Sequence, residues 1–484
     1  MSSSLDESAI IRACKALLLL SPLLFLTVIL MLPSSEIHHP LSQKLVVGDD
    51  DDDHSCRPTD LSHLVFGVLG SERAWHHRKA YVESWWRPNA TIGLLLLDKE
   101  PTGDLLPWSP FSPPYRVSDD VNRIMRETKH QNKRVARMVH GIMEVVRDAP
   151  PPQQEVRWVV MADDDTVFLV DNLVALLAGL DHRKLYYLGG HSEFILSNYW
   201  FSFQQAFGGG GIVLSYPLAR ALSHGIMGCL KRYQNLNSAD KTSSYCIADL
   251  GVNLSPQHGF HQTDMRGDIS GFLSHHPNTP LISLHHFDYV NPIFPSMDRA
   301  QSVGHLMNAA NLDQTRILQQ IICFHRQSNW SFSISWGYSA NIYEKIMPRS
   351  YLQNPIQSFK PWAKTPGPPH WIFDVGRLRA AAAFDPCLVP HAFFLESAEM
   401  VAVTPAHYEI LGTYRRSWRR GLPACSAAGN GSSADRISKI LVYSPATEPK
   451  QIDRCECCDV EIDGVDGSSA VVKTRKCVAG EIIA

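Results

Sequence analysis

The stretch WVVMADDDTVF, residues 158–168, is the most informative part of this 484-residue chain. Five mostly apolar residues lead directly into three consecutive carboxylates, Asp163, Asp164 and Asp165. Adjacent carboxylates at the end of a buried strand repel one another, so this arrangement is costly unless a cation lies beside them. The stretch therefore predicts a buried strand that ends at a divalent metal ion.

The residues before the triplet alternate between strand and helix patterns. HLVFGVLG (63–70) and GLLLLD (93–98) are short apolar runs typical of buried strands. Residues 118–147 carry apolar side chains at the i, i+3, i+4 spacing of a helix. Strands that alternate with helices indicate an open α/β sheet, in which ligands bind at the carboxyl ends of the strands. We expect the acid triplet at that edge.

Composition and charge restrict the class of protein. With 44% hydrophobic and 19% charged residues, the chain can bury a sizeable core and is predicted to be globular. Its formal net charge of -3 gives no general attraction for nucleic acid, so we expect no nucleic-acid partner. An anionic ligand must be bound by a local arrangement of charges.

The N-terminus contains an uncharged apolar run at residues 16–32, preceded by Arg12 and Lys15. At 1.5 Å per residue this run spans roughly 26 Å, which is enough for a thin bilayer. The preceding basic residues predict a signal anchor with residues 1–15 in the cytosol and the rest of the chain in the lumen. A cleaved signal peptide is the alternative. Residues 33–60 are predicted to form a solvated stem.

Cysteines and glycosylation sequons agree with a lumenal location, because ten of the eleven cysteines follow the apolar run. The cluster Cys455, Cys457 and Cys458, with Cys477, has two readings: a zinc site or disulfides. C-x-C-C lacks the C-x-x-C geometry of zinc hairpins, which favours disulfides. The sequons lie at Asn89, Asn253, Asn329 and Asn430.

Two chemistries use a D-x-D pattern after an apolar strand. Either the acids hold Mn²⁺ or Mg²⁺ against the diphosphate of a nucleotide sugar, or Asp163 is the nucleophile of a haloacid-dehalogenase-type phosphatase, with Asp165 and Val167 completing its motif. The phosphatase motif belongs on the first strand of a domain, whereas two strands precede it here. A later G-D-x-x-x-D is also missing, since no second acid follows Gly267 and Asp268 at that spacing. The context favours the nucleotide sugar.

Four stretches carry a resemblance to a known family: residues 63–88, 157–168, 207–215 and 246–295. They include HLVFGVLGSERAWHHRKAYVESWWRP, RWVVMADDDTVF, FGGGGIVLS, and CIADLGVNLSPQHGFHQTD through PLISLHHFDYVNPIFP. In this order they resemble the Fringe-like glycosyltransferases, most closely the plant branch formerly catalogued as a domain of unknown function. The triplet alone is a weak signal, but the ordered set is specific.

The resemblance implies a GT-A-type nucleotide-sugar-binding fold, with a mixed central sheet flanked by helices behind the membrane anchor. Residues 61–300 would form the catalytic domain, 301–365 its continuation, and 366–484 a Cys-containing accessory region. It also implies a single-pass type II Golgi membrane protein whose catalytic domain is lumenal. The reaction would be metal-dependent inverting transfer from a UDP-sugar to a glycan, glycoprotein or small-molecule glycoside, forming a beta-1,3 linkage.

The resemblance also implies roles for individual residues. Asp164 would lie at the ribose, Asp165 would bind the metal, and Asp163 would make a supporting polar contact. Gly209 and Gly210 belong to a glycine-rich turn whose missing side chains let the substrate approach the backbone. A tight turn without a ligand is the alternative for these glycines. Further nucleotide contacts are implied for Gly70, Ser71 and Arg78.

The catalytic base is a point of departure from the family pattern. Inverting transfer needs a carboxylate that takes the proton of the acceptor hydroxyl. Fringe-like proteins supply it from an Asp-Asp pair, whereas here Asp240 is followed by Lys241. We expect Asp240 to be the base, with Asp249 as the second choice. The alternative is that either is an ordinary helix or loop acid.

The histidine ligand of the metal is a second departure. The family pattern F-H-x-H is matched at His261, but Thr263 replaces the second histidine. A neutral imidazole beside Asp165 would suit Mn²⁺. We expect His261 to be the ligand, with His285 or His286 as substitutes.

These departures keep two other functions open. Lys241 and Thr263 are compatible with a lumenal carbohydrate-binding protein that keeps the fold but has lost turnover. The second alternative is the phosphatase that uses Asp163. UDP-sugar hydrolysis with and without Mn²⁺ separates the enzyme from the binding protein.

Overall fold

The computed structural model describes residues 57–149, 154–364, 367, 370–373, 377–378, 385–404, 407–423, 425, 433–446, 456–463 and 467–481. The predicted anchor at 16–32 and most of the predicted stem at 33–60 lie outside these residues. Among the helices described, none combines the length and the apolar character that crossing a bilayer requires.

Helices and strands alternate through the first half of the described chain, as the sequence predicts. The helices are α1 (Glu72–Glu83), α2 (Val121–Thr128), α3 (Lys133–Asp148), α4 (Val170–Ala178), α5 (Ile195–Trp200), α6 (Tyr216–Arg232), α7 (Ala239–Ala248), α8 (Ser270–Leu273), α9 (Arg299–Ala310) and α10 (Arg349–Gln353).

The strands up to residue 300 are β1 (Leu64–Leu69), β2 (Ile92–Leu97), β3 (Tyr115–Val117), β4 (Trp158–Asp163), β5 (Val167–Phe168), β6 (Tyr187–Gly189), β7 (Ile212–Ser215), β8 (Leu254–Pro256), β9 (Met265–Gly267) and β10 (Ser283–Leu284). Those that follow are β11 (Gln320–His325), β12 (Trp330–Ser335), β13 (Ser339–Tyr343), β14 (Ile356–Gln357), β15 (Phe359–Pro361), β16 (Arg377–Leu378), β17 (His391–Thr404), β18 (His407–Arg416), β19 (Lys439–Pro445), β20 (Cys457–Ile462) and β21 (Ser469–Arg475).

A seven-stranded mixed sheet forms the centre, in the order β3-β2-β1-β4-β7-β6-β8. Strands β3, β2, β1 and β4 run parallel to one another, β7 is antiparallel to both β4 and β6, and β8 is parallel to β6. Helices pack against this sheet and bury the apolar strand residues. The predicted α/β class with a mixed central sheet flanked by helices is therefore confirmed.

The helix predicted over 118–147 is interrupted. It forms α2 and α3, separated where Lys129 adopts a left-handed conformation with φ of 56°. The side chain of Asn132 then caps α3 by accepting a hydrogen bond from the Val135 amide. The apolar spacing continues across the break because both helices pack on the same core cluster.

The parallel pairing brings three strand ends to one edge of the sheet. Leu69 of β1 is paired with both Asp163 of β4 and Leu96 of β2. The loop that begins at Gly70, the acid triplet and the end of β2 at Asp98 therefore meet there. The start of β7 also lies at this edge, because β7 runs antiparallel to β4 with Ile212 opposite Met161.

A second, eight-stranded sheet follows in the order β11-β12-β13-β17-β18-β19-β21-β20. Its β13–β17 pairing joins strands on either side of residue 365, so the sheet includes parts of both the 301–365 and the 366–484 segments. Its buried face belongs to the same core cluster as one face of the central sheet.

Four disulfides occur among the described residues: Cys229–Cys246, Cys323–Cys458, Cys387–Cys425 and Cys457–Cys477. The three cysteines of the C-terminal cluster that the structure describes are therefore oxidised rather than arranged as zinc ligands. Cys455, the fourth, lies outside the described residues. The predicted disulfides are confirmed for this part of the chain.

Candidate active site

The acid triplet spans the last residue of β4, Asp163, and the short turn that leads to β5, and Thr166 holds this turn in place. The Thr166 hydroxyl accepts a hydrogen bond from the Asp163 amide at 3.1 Å and donates one to the Gly209 carbonyl at 2.8 Å. The Trp85 indole donates to the Thr166 carbonyl at 2.9 Å. The turn is thereby fixed against both the glycine-rich segment and the segment that follows α1.

His285 completes a cluster with two of the three acids. Strands β5 and β10 pair with Val167 opposite Leu284, so His285 follows directly on from this pairing and faces the residues that precede β5. Its Nε2 lies 3.0 Å from Asp165 Oδ1 and 3.8 Å from Asp163 Oδ2. One ligand atom from each of the three residues lies within 4.8 Å of the others.

These residues fit a divalent cation. Asp165 Oδ2 is buried and has no hydrogen-bond partner among the residues that the structure describes. A buried carboxylate oxygen without a donor is costly, and a metal ion would satisfy it. Two carboxylates and one imidazole are a donor set suited to Mn²⁺.

The pKa shifts of His285 and Asp165 indicate that the two side chains form an ion pair when no metal is bound. Burial disfavours charge on His285, but Asp165 outweighs it and raises the pKa of His285 to about 9. Burial acts to raise the pKa of Asp165, but His285 outweighs it and lowers that pKa below its ordinary value. Metal ligation needs a neutral imidazole, so it would require loss of this proton.

Arg78 links the triplet to a second acidic turn. Its Nη1 donates to Asp164 Oδ1 at 2.6 Å and Asp165 Oδ1 at 3.2 Å, while its Nε donates to Asp288 Oδ2 at 2.7 Å. Asp164 also accepts a hydrogen bond from the Ser71 amide at 3.3 Å. The predicted residues Arg78, Ser71, Asp164 and Asp165 are thus brought together by direct contacts.

A cavity of about 720 Å³ opens beside the triplet, a volume in the range of small-molecule sites. It is bounded by the loop after β1, the ends of β2 and β4, and the start of α3. Gly70 belongs to this wall, and a Cβ added there would lie 2.9 Å from Asp164 Oδ2. The charged side chains in its lining are Arg78, Asp98, Asp119, Asp120, Lys133, Arg134, Arg137, Asp163 and Asp164.

Arg134 is the cavity cation best placed for an anionic ligand. Arg137 is committed to the fold, because its Nη2 donates to the carbonyls of Gly70 and Leu96 at 2.7 Å each. Lys133 donates to the Asn122 side chain at 3.2 Å. Arg134 is exposed and makes no ion pair within the described ranges.

The glycine-rich turn lies between the metal-type cluster and Asp240. The Gly208 amide donates to Asp240 Oδ1 at 3.0 Å, and the Gly210 amide donates to Gln262 Oε1 at 2.8 Å. Gly209 packs so closely on His285 that an added Cβ would lie 2.6 Å from its Nε2. The turn needs glycine at this position because the imidazole occupies the space of a side chain.

The surroundings of Asp240 shift its pKa towards neutral pH. Burial, reinforced by the charge of Asp163, raises the pKa of Asp240 to about 7. A carboxylate whose pKa lies near neutral pH both accepts a proton and exists partly ionised at that pH.

Two predicted site residues lie elsewhere. Asp249 follows the end of α7, where it pairs with Arg232 and accepts a hydrogen bond from the Tyr233 hydroxyl at 2.8 Å. His261 Nδ1 lies 2.8 Å from Glu193 Oε1, and its Nε2 lies 2.7 Å from His276 Nε2. The structure thus brings His285, the alternative to His261, to the acids.

His261 and Glu193 form a pair within the core. Burial raises the pKa of Glu193 to about 8 and lowers that of His261 to about 3, so both favour their neutral forms.

Sequence reasoning missed Arg134 and Asp288. Arg134 carries a signal in retrospect, because Lys133 and Arg134 occupy the first turn of α3, where the helix dipole disfavours cations. Basic residues at a helix start are better explained by an anionic ligand nearby. Asp288 carries no signal, since its role depends on the distant contact with Arg78.

Together these features define an α/β protein with an acid and histidine cluster suited to a cation, beside a ligand-sized cavity. Residues 197–458 match the family described as "Protein of unknown function, DUF604". The match covers more than half of the chain, so the chain belongs to this family.

Two curated proteins named "Beta-1,3-glucosyltransferase" are also similar to part of the chain. The Homo sapiens protein is 29% identical over 141 residues, which cover 29% of this chain and 27% of that protein. The Mus musculus protein is 27% identical over 139 residues, with the same coverage of 29% and 27%. The similarity therefore spans only about a quarter of the length of these relatives.

Proposed function

We propose that this protein is a glycosyltransferase that moves a sugar from a UDP-sugar to an acceptor hydroxyl with inversion, using Mn²⁺ or Mg²⁺ within a GT-A-type fold. The observation that carries the proposal is the cluster of Asp163, Asp165 and His285 at the rim of the cavity. The names of the curated relatives support sugar transfer and a beta-1,3 linkage.

The nucleotide belongs in the cavity of about 720 Å³. Gly70 and Ser71 form its wall after β1, and Asp164 would meet the ribose. Arg134 would pair with the diphosphate, because its guanidinium makes no ion pair or hydrogen bond with any described residue and would gain charge-assisted hydrogen bonds from phosphate oxygens.

Asp163, Asp165 and His285 would hold the metal. Arg78 positions Asp164 and Asp165 through hydrogen bonds to both carboxylates. When bound, Mn²⁺ or Mg²⁺ supplies positive charge that stabilises the diphosphate as it leaves. Arg78 also offsets part of the negative charge of the triplet through its ion pairs with Asp164 and Asp165. These ion pairs would keep both carboxylates in position when no nucleotide is bound.

Asp240 would act on the acceptor. Its carboxylate takes the proton of the acceptor hydroxyl, the hydroxyl oxygen forms a bond to the anomeric carbon, and the bond from that carbon to the diphosphate oxygen breaks. The leaving UDP carries the electron pair of the broken bond. Asp240 is held beside the glycine-rich turn by the hydrogen bond from the Gly208 amide.

The proposal includes the cellular location of the protein. A single-pass type II Golgi membrane protein, anchored through residues 16–32 with a lumenal catalytic domain, agrees with the four disulfides of the described part. Glycans, glycoproteins or small-molecule glycosides are the acceptors that such an enzyme would meet there.

The test measures UDP binding and UDP-sugar hydrolysis by the purified full-length protein with and without Mn²⁺. We expect Mn²⁺-dependent binding and slow hydrolysis, with loss of binding in Asp165→Ala and loss of turnover alone in Asp240→Ala. Asp249→Ala is the matched control, because Asp249 lies apart from the cluster. Binding without turnover would favour the inactive carbohydrate-binding protein. Phosphate release from phosphomonoesters through an aspartyl-phosphate at Asp163 would favour the phosphatase.

A further inference from the structure

A cationic aromatic surface lies beside the acid and histidine cluster. We name it the Arg266 platform, and it consists of Arg266, His286, Tyr289 and Trp362. The imidazole of His286 stacks on the Trp362 indole with ring centroids 4.4 Å apart and an interplanar angle of 13°. The Arg266 guanidinium lies 4.9 Å from the Trp362 centroid and 5.8 Å from the Tyr289 centroid.

The platform adjoins the cluster at His285 and lies outside the lining of the nucleotide cavity. The rings of His285 and His286 lie 3.8 Å apart, so the platform begins one residue from a proposed metal ligand. None of its four residues is among the described residues that line the cavity. The platform therefore borders the proposed metal site outside the cavity, where the sugar or the acceptor, rather than the nucleotide, would be bound.

The charge of Arg266 is not neutralised by an acidic side chain among the described residues. Arg266 is exposed, and no carboxylate forms an ion pair with it anywhere in the described part of the chain. Its contacts are with the faces of two aromatic rings, which hold the guanidinium, and its N–H groups donate to no acceptor among the residues that the structure describes. A guanidinium presented in this way matches the two oxygens of a carboxylate.

The segments that carry the platform are well fixed. Arg266 is on β9, which pairs with β15 immediately before Trp362. Tyr289 ends the turn whose Asp288 is bonded to Arg78 and to the Tyr81 hydroxyl. The position of Arg266 relative to the cluster is thus set by backbone pairing and by contacts with the triplet.

We propose that the Arg266 platform binds the carboxylate of a hexuronate unit, either in the transferred sugar or in the acceptor. This inference rests on the proposed function, because the ligand must lie at the sugar side of the same site. The diphosphate is the other oxyanion available, but the metal-type cluster and Arg134 already serve it on the cavity side.

The experiment measures dissociation constants by calorimetry with Mn²⁺ present, using the full-length protein. The donor arm compares UDP-glucuronic acid, UDP-glucose and UDP, and the acceptor arm compares methyl glucuronide with methyl glucoside in the presence of UDP. In one of the two arms we expect the wild type to bind the ligand that carries a carboxylate about tenfold more tightly than the neutral ligand. A tenfold difference in dissociation constant is about the size expected for one charge-assisted hydrogen bond. Arg266→Gln should abolish that preference and leave UDP affinity unchanged.

Two further variants separate charge from packing. Arg266→Lys keeps the charge without the planar fork and should retain part of the preference. Arg220→Gln is the matched control, because Arg220 is also exposed and makes no ion pair in the described residues, but lies on α6. It should behave as the wild type, and thermal unfolding should show that every variant is folded.

Several outcomes would overturn the inference. The inference fails if the wild type binds the acidic and the neutral ligand with equal affinity in both arms. It also fails if Arg266→Gln loses UDP affinity, because Arg266 would then bind the diphosphate. A wild type that binds no UDP with Mn²⁺ refutes the proposed function instead. In that case the two methyl glycosides, tested without nucleotide, still report on the platform.

Discussion

Replacement of Gly209 by alanine should disable the cation site without removing any ligand. The new Cβ would lie 2.6 Å from His285 Nε2, whereas ordinary van der Waals contact begins at 3.4 Å, so that atom must move by about 0.8 Å. The imidazole cannot make room easily, because it is buried between His286 and Asp165.

The required movement is large compared with the tolerance of a metal site, which is about 0.2 Å in ligand distance. The loss of a partner that merely orients a ligand costs about 10–100-fold in metal affinity. Displacement of the ligand itself should cost at least as much, so we expect Gly209→Ala to weaken Mn²⁺ binding by about 100-fold or more. UDP affinity with Mn²⁺ should fall in parallel.

The assay is titration of Mn²⁺ by electron paramagnetic resonance, with and without UDP, in the wild type, Gly209→Ala and His285→Ala. Gly225→Ala is the control, because nothing lies within 4 Å of a Cβ added at this exposed position of α6. It should bind Mn²⁺ normally and be more stable by about 0.5–1 kcal/mol. Wild-type Mn²⁺ affinity in a folded Gly209→Ala protein would refute the assignment of His285 to the cation site.

Three further predictions follow from other parts of the structure. Asp240→Asn should keep UDP affinity but lose transfer. In the wild type, kcat should fall as pH decreases, because Asp240 must be ionised to accept a proton. The midpoint should lie at or below the pKa of about 7, because a cation bound at Asp163 would stabilise the ionised form of Asp240. Arg134→Ala should weaken UDP binding about tenfold in calorimetry while Arg220→Ala does not. Glu344→Gln should lower the free energy of unfolding in urea by about 3–5 kcal/mol, because this fully buried acid pairs with His391 and accepts two backbone amides; a loss below about 1 kcal/mol would contradict that role.

The central sheet and its ligand edge are the parts that sequence patterns could predict. Apolar runs at 63–70, 93–98 and 158–163 correspond to β1, β2 and β4, and the rule for open α/β sheets correctly places the acid triplet at their carboxyl ends. These features depend on local hydrophobicity and on strand direction, both of which are encoded over a few residues.

The remaining features depend on long-range pairing. His285 reaches Asp165 across 120 residues through the two-residue strands β5 and β10, which are too short to show a strand pattern. The choice among His261, His285 and His286 therefore could not be made from spacing. The Cys323–Cys458 disulfide spans 135 residues, and its pairing likewise depends on how the second sheet closes.

The helix break at Lys129 was missed for a different reason. The apolar periodicity of 118–147 is kept on both sides of the break, so the hydrophobic pattern carries no mark of it. The signal that exists is local, in the Asn132 cap and the left-handed residue before it. Lys129 caps the C-terminus of α2, where its amide donates to the Met125 carbonyl, but a lysine seldom adopts the left-handed conformation and so does not signal such a cap in the sequence.

The most direct test of the central claim is the affinity of the purified full-length protein for UDP as a function of Mn²⁺ concentration. The account predicts that UDP binds at least tenfold more tightly with saturating Mn²⁺ than with a chelator, and that Asp165→Ala removes this difference. Equal UDP affinity with Mn²⁺ and with a chelator in the wild type would contradict it.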